Sequence, residues 1–270
     1  TTTTGGYGSV TALTLNPSGS PAAYTGVIED GATGMSLTKT GAGTQVLQGS
    51  NTYTGATILR EGTLTLSGAA GSILNSAITL QGGTLQLTNT TNAEGAVDRV
   101  GTATITSNGG VLNYGNANTA ANTYAETVGT LALTTGQFNT NLTTNQSTSD
   151  GQTLTFGDLT RSGATNTSAV TFAAASTGPQ AAANKNMIVV TGKGTTTVGQ
   201  IVGPWATVGT GLTTQTDYAV YDSDGTDGYV ETQPGIMNTE LRDHVKGHGL
   251  WYAPDPASKD FCSIGGKPLV

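Results

Sequence analysis

Gly43-Thr44-Gln45-Val46-Leu47, Gly62-Thr63-Leu64-Thr65-Leu66 and Gly83-Thr84-Leu85-Gln86-Leu87 are three versions of one short phrase. Gly110-Val111-Leu112-Asn113-Tyr114 and Gly129-Thr130-Leu131-Ala132-Leu133 continue it. The leading glycines stand 19, 21, 27 and 19 residues apart. Within each phrase apolar and polar residues alternate, which is the period of a half-buried strand. Turn-forming clusters such as Gly49-Ser50-Asn51 and Ser107-Asn108-Gly109-Gly110 separate the phrases. One strand signal per unit of about 20 residues predicts stacked coils. A sandwich would instead show paired strands with turns at roughly 8–12-residue spacing. The expected fold is all-β: a parallel β-helix of roughly ten coils, each turning through about three short strands. With coils about 4.8 Å apart the rod would be about 50 Å long. Leu and Val would point inward, Thr and Asn would cover the outside or form corner ladders, and Gly would supply positive φ at corners.

The composition narrows the function classes. Of 270 residues 40 are Gly and 53 are Thr, and only 10% are charged, where about 25% is ordinary. The balance of 10 basic and 17 acidic residues gives a net charge of −7. That argues against a charge-driven nucleic-acid binder, whose phosphate contacts need clustered Lys and Arg. Scarce Glu, Lys and Arg argue against a coiled coil. No apolar run reaches the roughly 18 residues of a membrane span. Low charge with patterned Val, Ile and Leu argues against disorder. One Cys forms no intramolecular disulfide and says nothing about compartment. The chain opens Thr1-Thr2-Thr3-Thr4 with neither a basic nor an apolar leader region, so any signal peptide is expected to be absent or already removed.

Tyr24-Thr25-Gly26-Val27-Ile28-Glu29-Asp30-Gly31, Leu37-Thr38-Lys39-Thr40-Gly41-Ala42-Gly43-Thr44 and Gly49-Ser50-Asn51-Thr52-Tyr53-Thr54-Gly55 resemble the autotransporter-associated β-strand repeat. Glu61-Gly62-Thr63-Leu64 continues the resemblance. Gly203-Pro204-Trp205-Ala206-Thr207-Val208 and Asp217-Tyr218-Ala219-Val220-Tyr221-Asp222 look like a later segment of the same long proteins. The resemblance spans about residues 20–228 and is densest over 24–66. It implies a β-helical passenger of a secreted bacterial surface protein, attached to the outer membrane through a C-terminal barrel missing from this sequence. It further implies a non-enzymatic structural or adhesive role, with glycans or other surfaces as partners, and a monomer.

The style of the sequence changes near Tyr229-Val230. Residues 231–270 hold 4 of the 10 basic residues, 4 of the 8 prolines, both histidines and the Cys, but 2 of the 53 threonines. The expected division is a repeat region over 1–229 and a separate segment over 230–270. In the latter, Asn238 can cap a short helix carrying Leu241 and Val245 on one face, ending near Gly247 or Gly249. Gln233-Pro234-Gly235, Gly249-Leu250-Trp251-Tyr252-Ala253-Pro254-Asp255-Pro256 and Ser263-Ile264-Gly265-Gly266 are similar to the FAD-binding domain of FAD-linked oxidases of the glycolate oxidase and D-lactate dehydrogenase type. By that resemblance Pro254, Asp255, Ser258, Ser263, Ile264, Gly265 and Gly266 would lie against the flavin dinucleotide. The family continues with Asn and a further Gly-rich stretch, whereas here Lys267-Pro268-Leu269-Val270 follows. The resemblance therefore implies a truncated flavin segment, an incomplete site, and a composite or fused reading. No cofactor is expected beyond this resemblance to an FAD site.

Other chemistry is weakly signalled. Asp222-Ser223-Asp224-Gly225-Thr226-Asp227-Gly228 alternates carboxylates as a calcium loop does, but Glu231 falls at loop position 10, not 12. Ordinary Asp-Gly turn chemistry is the competing reading. A polysaccharide lyase or hydrolase needs convergent carboxylates, or calcium with a basic proton acceptor. Residues 1–230 offer Arg60, Arg99 and Arg161 with 12 acidic residues, and no acidic pair recurs at coil spacing beside a base. Arg60 followed by Glu61 reads as a surface pair or solvated corner. His244 and His248 lie four apart but read as solvated helix-end residues, and Cys262 reads as a packing residue. Gly192-Lys193-Gly194-Thr195 and Gly41-Ala42-Gly43-Thr44-Gln45-Val46 miss required positions of the phosphate-binding motifs and read as corner glycines. No catalytic residue and no metal site are expected.

Overall fold

A computed structural model describes residues 7–89, 97–116, 124–144, 152–162, 167–174, 186–192, 202–209, 215–219, 222–223 and 228–229. The described residues contain no helix. The expected short helix after Asn238 lies outside them. One eight-stranded sheet, A, contains β1 (Ala12–Leu15), β2 (Ser36–Lys39), β4 (Thr57–Leu59), β6 (Ile78–Leu80), β8 (Ile105–Ser107), β10 (Tyr124–Leu133), β12 (Gln152–Arg161) and β14 (Asn186–Val190), in that spatial order. The other, B, contains β3 (Thr44–Leu47), β5 (Thr63–Leu66), β7 (Thr84–Asn89), β9 (Gly110–Asn116), β11 (Gln137–Thr144), β13 (Ala169–Ala174), β15 (Ala206–Gly209) and β16 (Gln215–Tyr218). All pairings within these two sheets are parallel except β15 with β16. The chain thus alternates between the two sheets, one strand in each per coil, and stacks each coil on the last. Sheet A holds eight rungs, against an expectation of roughly ten.

Alternation decides what faces the core. In sheet A, Leu37, Thr57, Ile78, Ile105, Leu131 and Leu159 stack in register and are all buried. In sheet B, Leu64, Leu85, Leu112, Thr140 and Phe172 do the same. A second inward row runs Leu47, Leu66, Leu87, Tyr114, Leu142 and Ala174. Thr140 fits among apolar residues because its hydroxyl accepts from Ala173 N at 3.2 Å.

Two corrections follow from the register. Each coil has two regular strands, and the third side is built from single bridges and loop hydrogen bonds. Thr52 N donates to Ile28 O, Asn51 N to Ser72 O and Ile73 N to Arg99 O, at 2.9, 3.0 and 2.8 Å. This side is too short to be a strand until β10, which is 10 residues long. The second correction concerns Gly129-Thr130-Leu131-Ala132-Leu133, which belongs to sheet A and pairs with Ile105–Ser107. Its counterpart in sheet B is Gln137-Phe138-Asn139-Thr140, which stacks on β9. The ladder Thr44, Thr63, Thr84, Val111, Asn139, Thr171, Thr207 therefore advances by 19, 21, 27, 28, 32 and 36 residues. The coils lengthen steadily along the rod.

The tight corner from sheet A to sheet B is where glycine is required. Gly41, Gly62, Gly82, Gly109 and Gly136 occupy it in successive coils with φ of 72°, 62°, 114°, 102° and 71°. L-residues strain in that region, and glycine does not.

At the C-terminal end β16 turns back antiparallel on β15. The β17 (Asp222–Ser223) and β18 (Gly228–Tyr229) hairpin packs beside β14. Sheet B thus ends in a reversed strand, a common guard for an open edge. Leu85→Ala should destabilise the chain by about 3 kcal/mol, the usual cost of truncating a buried leucine. Thr65→Ala, on the outer face of the adjacent strand, should change stability by less than about 0.5 kcal/mol. Urea unfolding of both variants checks this, and equal costs would contradict the inward and outward assignment.

Candidate functional site

The charged and polar residues that could do chemistry are held in the corners and on the third side. Asp30 lies in the turn that leaves the first coil. Its carboxylate accepts from Thr54 Oγ1 at 2.6 Å, Thr54 N at 2.9 Å, Met35 N at 3.1 Å and Gly34 N at 3.3 Å. The Thr54 hydroxyl, more than any other partner, holds Asp30 below the usual carboxylate range. Asn51 is buried and joins three coils. Its Oδ1 accepts from Ile28 N at 3.0 Å, while its Nδ2 donates to Gly49 O at 2.9 Å and Ser72 O at 3.0 Å.

Lys39 takes an inward position in sheet A, between Leu15 and Leu59, and is fully buried. Its ammonium has three donors, and three corner carbonyls accept them: Gly41 O at 2.7 Å, Thr40 O at 2.9 Å and Glu61 O at 3.1 Å. Burial holds the amine below the usual lysine range, and the Glu61 carboxylate opposes that shift. Next to it runs a chain of buried hydroxyls. Ser76 Oγ donates to Gly55 O at 2.7 Å, Thr57 Oγ1 lies 2.7 Å from Ser76 Oγ, and Tyr53 OH lies 2.6 Å from Thr57 Oγ1. With Ser76 donating outward, protons run in sequence from Tyr53 to Thr57 to Ser76. Burial pushes the Tyr53 phenol up to about 12.

Arg99 and Glu126 form a polar cluster in the interior, and both are buried. The Arg99 guanidinium donates to Asn89 Oδ1 at 2.5 Å, Gly71 O at 2.7 Å and Gly68 O at 3.1 Å. Glu126 Oε1 accepts from Arg99 N and Val100 N, both at 3.0 Å. The side chain of Glu126 thus takes the place of the backbone that ties earlier third-side turns to the next coil. Burial pushes its carboxyl up to about 8, against the two backbone hydrogen bonds and the Arg99 charge; nearby Asp98 adds to the rise. Further along, the Arg161 guanidinium lies 5.2 Å from the Trp205 ring centroid, and its Nε donates to Ser168 O at 2.9 Å.

These groups hold neighbouring coils together rather than converging on a cleft. Arg60 and Glu61 are exposed at a corner. Arg99 is interior and Arg161 stacks on an indole, so the three arginines sit at separate places. Gly41 and Gly43 are corner glycines. Asp222 lies on β17, but residues 224–227 of the acidic loop lie outside the described residues. So do His244, His248 and Cys262, and the flavin-contact candidates Pro254, Asp255, Ser258, Ser263, Ile264, Gly265 and Gly266. Among the described residues no group of three or more His, Cys, Asp or Glu could hold a metal ion. No described helix is long and apolar enough to cross a membrane.

Comparison with known proteins finds two unrelated signatures. Residues 37–66 match the family model of the passenger-associated-transport-repeat, from Leu37 in β2 to Leu66 at the end of β5. Residues 174–269 match the FAD binding domain family. Over 35 residues the chain is 51% identical to the glycolate oxidase subunit GlcD of Escherichia coli strain K12, and equally to that of E. coli O6:H1 strain CFT073. That stretch is 13% of this chain and 7% of the length of either relative. No solved structure matches the chain.

The FAD-domain match begins at the end of β13 and takes in β14, β15 and β16. β14 stacks in parallel on β12, and β15 on β13. In these described residues of the match, β14 and β15 are rungs of the solenoid.

The Glu126 carboxyl supplies a pH test. Its folded pKa of about 8 lies above the ordinary 4.5, so the folded state holds the proton more tightly than the unfolded state. The stability linked to this proton is complete below pH 4.5 and is lost as pH rises through about 8. Thermal unfolding across that window should show the wild type losing stability faster than Glu126→Gln. Parallel pH profiles would contradict the assignment.

Proposed function

We propose that the chain is a non-enzymatic structural or adhesive segment of a secreted bacterial surface protein of the autotransporter kind. The observation that carries this is the passenger-repeat match lying on consecutive coils of an uninterrupted parallel stack. A rod built this way derives its use from length and stiffness. Its outer faces carry rows of uncharged side chains, such as Thr63 and Thr65 beside Thr84 and Gln86. Such a face suits weak contacts with glycans or other surfaces. The rod occupies residues 1–229 in this reading, and 230–270 form a separate segment. Fused upstream of an outer-membrane translocator barrel, the chain should reach the surface of intact cells and be cut there by added protease. Retention in the periplasm would contradict the proposal. A glycan array then separates an adhesin from an inert spacer.

The alternative, a flavin-binding oxidoreductase remnant, is favoured by the match over 174–269 and by the 35-residue identity to the glycolate oxidase subunit. In that reading Pro254, Asp255, Ser258, Ser263, Ile264, Gly265 and Gly266 would contact FAD. Against it stands the use of β14 and β15 as solenoid rungs. After soaking in FAD and desalting, the protein should be colourless. Retained flavin absorbance at stoichiometric level would establish the alternative.

A further inference from the structure

Asn108-Gly109 is the sole Asn-Gly pair in the sequence, and it makes the tight corner between β8 and β9. Asn108 is exposed there. The main chain on either side is held in the stack: Asn108 N donates to Leu80 O at 2.8 Å, and Gly82 N donates to Gly109 O at 2.9 Å. Between these two bonds the partners are side chains. Gly109 N donates to Ser107 Oγ at 3.1 Å. Thr134 stands in the same corner one coil on, with its N donating to Ser107 O at 2.9 Å. Its hydroxyl donates to Asn108 Oδ1, and Ser107 O lies within reach of the same hydroxyl at 2.7 Å.

A main-chain nitrogen can attack the side-chain amide of the residue before it and close a five-membered imide. Glycine at the attacking position favours this, because it has no Cβ to obstruct the approach. At Gly109 an added Cβ would meet no atom nearer than Gln137 O at 3.7 Å, so neighbouring coils leave room for the ring. Asn51 shows the opposite arrangement. It is buried, a β-branched residue follows it, and Thr52 N is tied to Ile28 O at 2.9 Å.

We propose that Asn108 is a self-modification site, at which the folded corner converts the side-chain amide to a carboxylate. Solvent hydroxide takes the Gly109 N–H proton, and the nitrogen bonds to Asn108 Cγ. Negative charge develops on Oδ1, where the Thr134 hydroxyl already donates. The Cγ–Nδ2 bond then breaks, and Nδ2 takes a proton from water and leaves as ammonia. Water opens the imide at Cγ to give aspartate, or at the main-chain carbonyl to give isoaspartate. One water is consumed, one ammonia is released, and nothing is oxidised or reduced. Aspartate keeps the spacing between the two flanking backbone bonds, whereas isoaspartate lengthens it by a methylene. The corner therefore selects aspartate, and the rod gains one negative charge. This is independent of what the rod binds.

Peptide mapping of the full chain, incubated in mildly alkaline buffer with and without urea, tests it. The folded wild type should lose the Asn108 amide no more slowly than the unfolded chain, and with a larger share of aspartate. Thr134→Val should slow the folded reaction roughly tenfold, less than an enclosed oxyanion donor supplies. Thr134→Ser, which keeps the hydroxyl, should restore the rate, and in urea all three chains should convert alike. A folded wild type that keeps its amide while the unfolded chain loses it would overturn the proposal. So would a Thr134→Val chain as fast as the wild type, a Thr134→Ser chain as slow as Thr134→Val, or a deficit that persists in urea.

Discussion

Backbone N–H and C=O groups of the parallel strands described here point along the rod axis, toward the coil before and the coil after. No coil can satisfy them alone. Parallel registration between successive coils is therefore the constraint from which the other features follow. It fixes which residues stack, and so it fixes the core: an inward residue of one coil meets the inward residue at the same position of the next, as Leu64 meets Leu85 and Leu85 meets Leu112. It also explains the low charge. Rows of identical side chains stand about 4.8 Å apart, a spacing at which threonine and asparagine assist each other and like charges would repel.

The same constraint explains where the few charged groups sit. A corner brings several carbonyls together without amide partners, and Lys39 meets three of them with its three protons. A third side too short for regular pairing needs side chains to replace missing backbone bonds. Asn51 does this between the early coils, and Glu126 does it where β10 begins. These groups resemble catalytic residues in burial and in shifted proton affinity. Their partners are backbone groups of their own and neighbouring coils, which makes them fasteners.

Much of this is legible in the sequence. The alternation in Gly62-Thr63-Leu64-Thr65-Leu66 and its relatives places Leu64, Leu85 and Leu112 inward, where the structure has them. The phrase at Gly129 misleads because strands of the two sheets share the same alternation, and only pairing distinguishes them. A fixed period overestimates the coil count because coils lengthen from 19 to 36 residues, so it divides the chain too finely. The buried charges escape a reading by residue type for a simple reason: charged residues are ordinarily solvated. Yet the signal is present. Lys39 is two residues after Leu37, and Glu126 lies between Tyr124 and Val128, so alternation alone puts both on the inward side. The flavin-like stretch is legible as a resemblance, but its first matched strands serve the solenoid, a fact that only pairing reveals.

The most direct test of the account is the distance between two outward positions six rungs apart. Thr44 and Thr207 belong to one ladder through Thr63, Thr84, Val111, Asn139 and Thr171. With Cys262 replaced by Ser, spin labels at Thr44→Cys and Thr207→Cys should give a single narrow dipolar distance near 29 Å, six steps of about 4.8 Å. A broad distribution, or a sharp distance well away from that value, would contradict the stacked parallel register on which the whole reading stands.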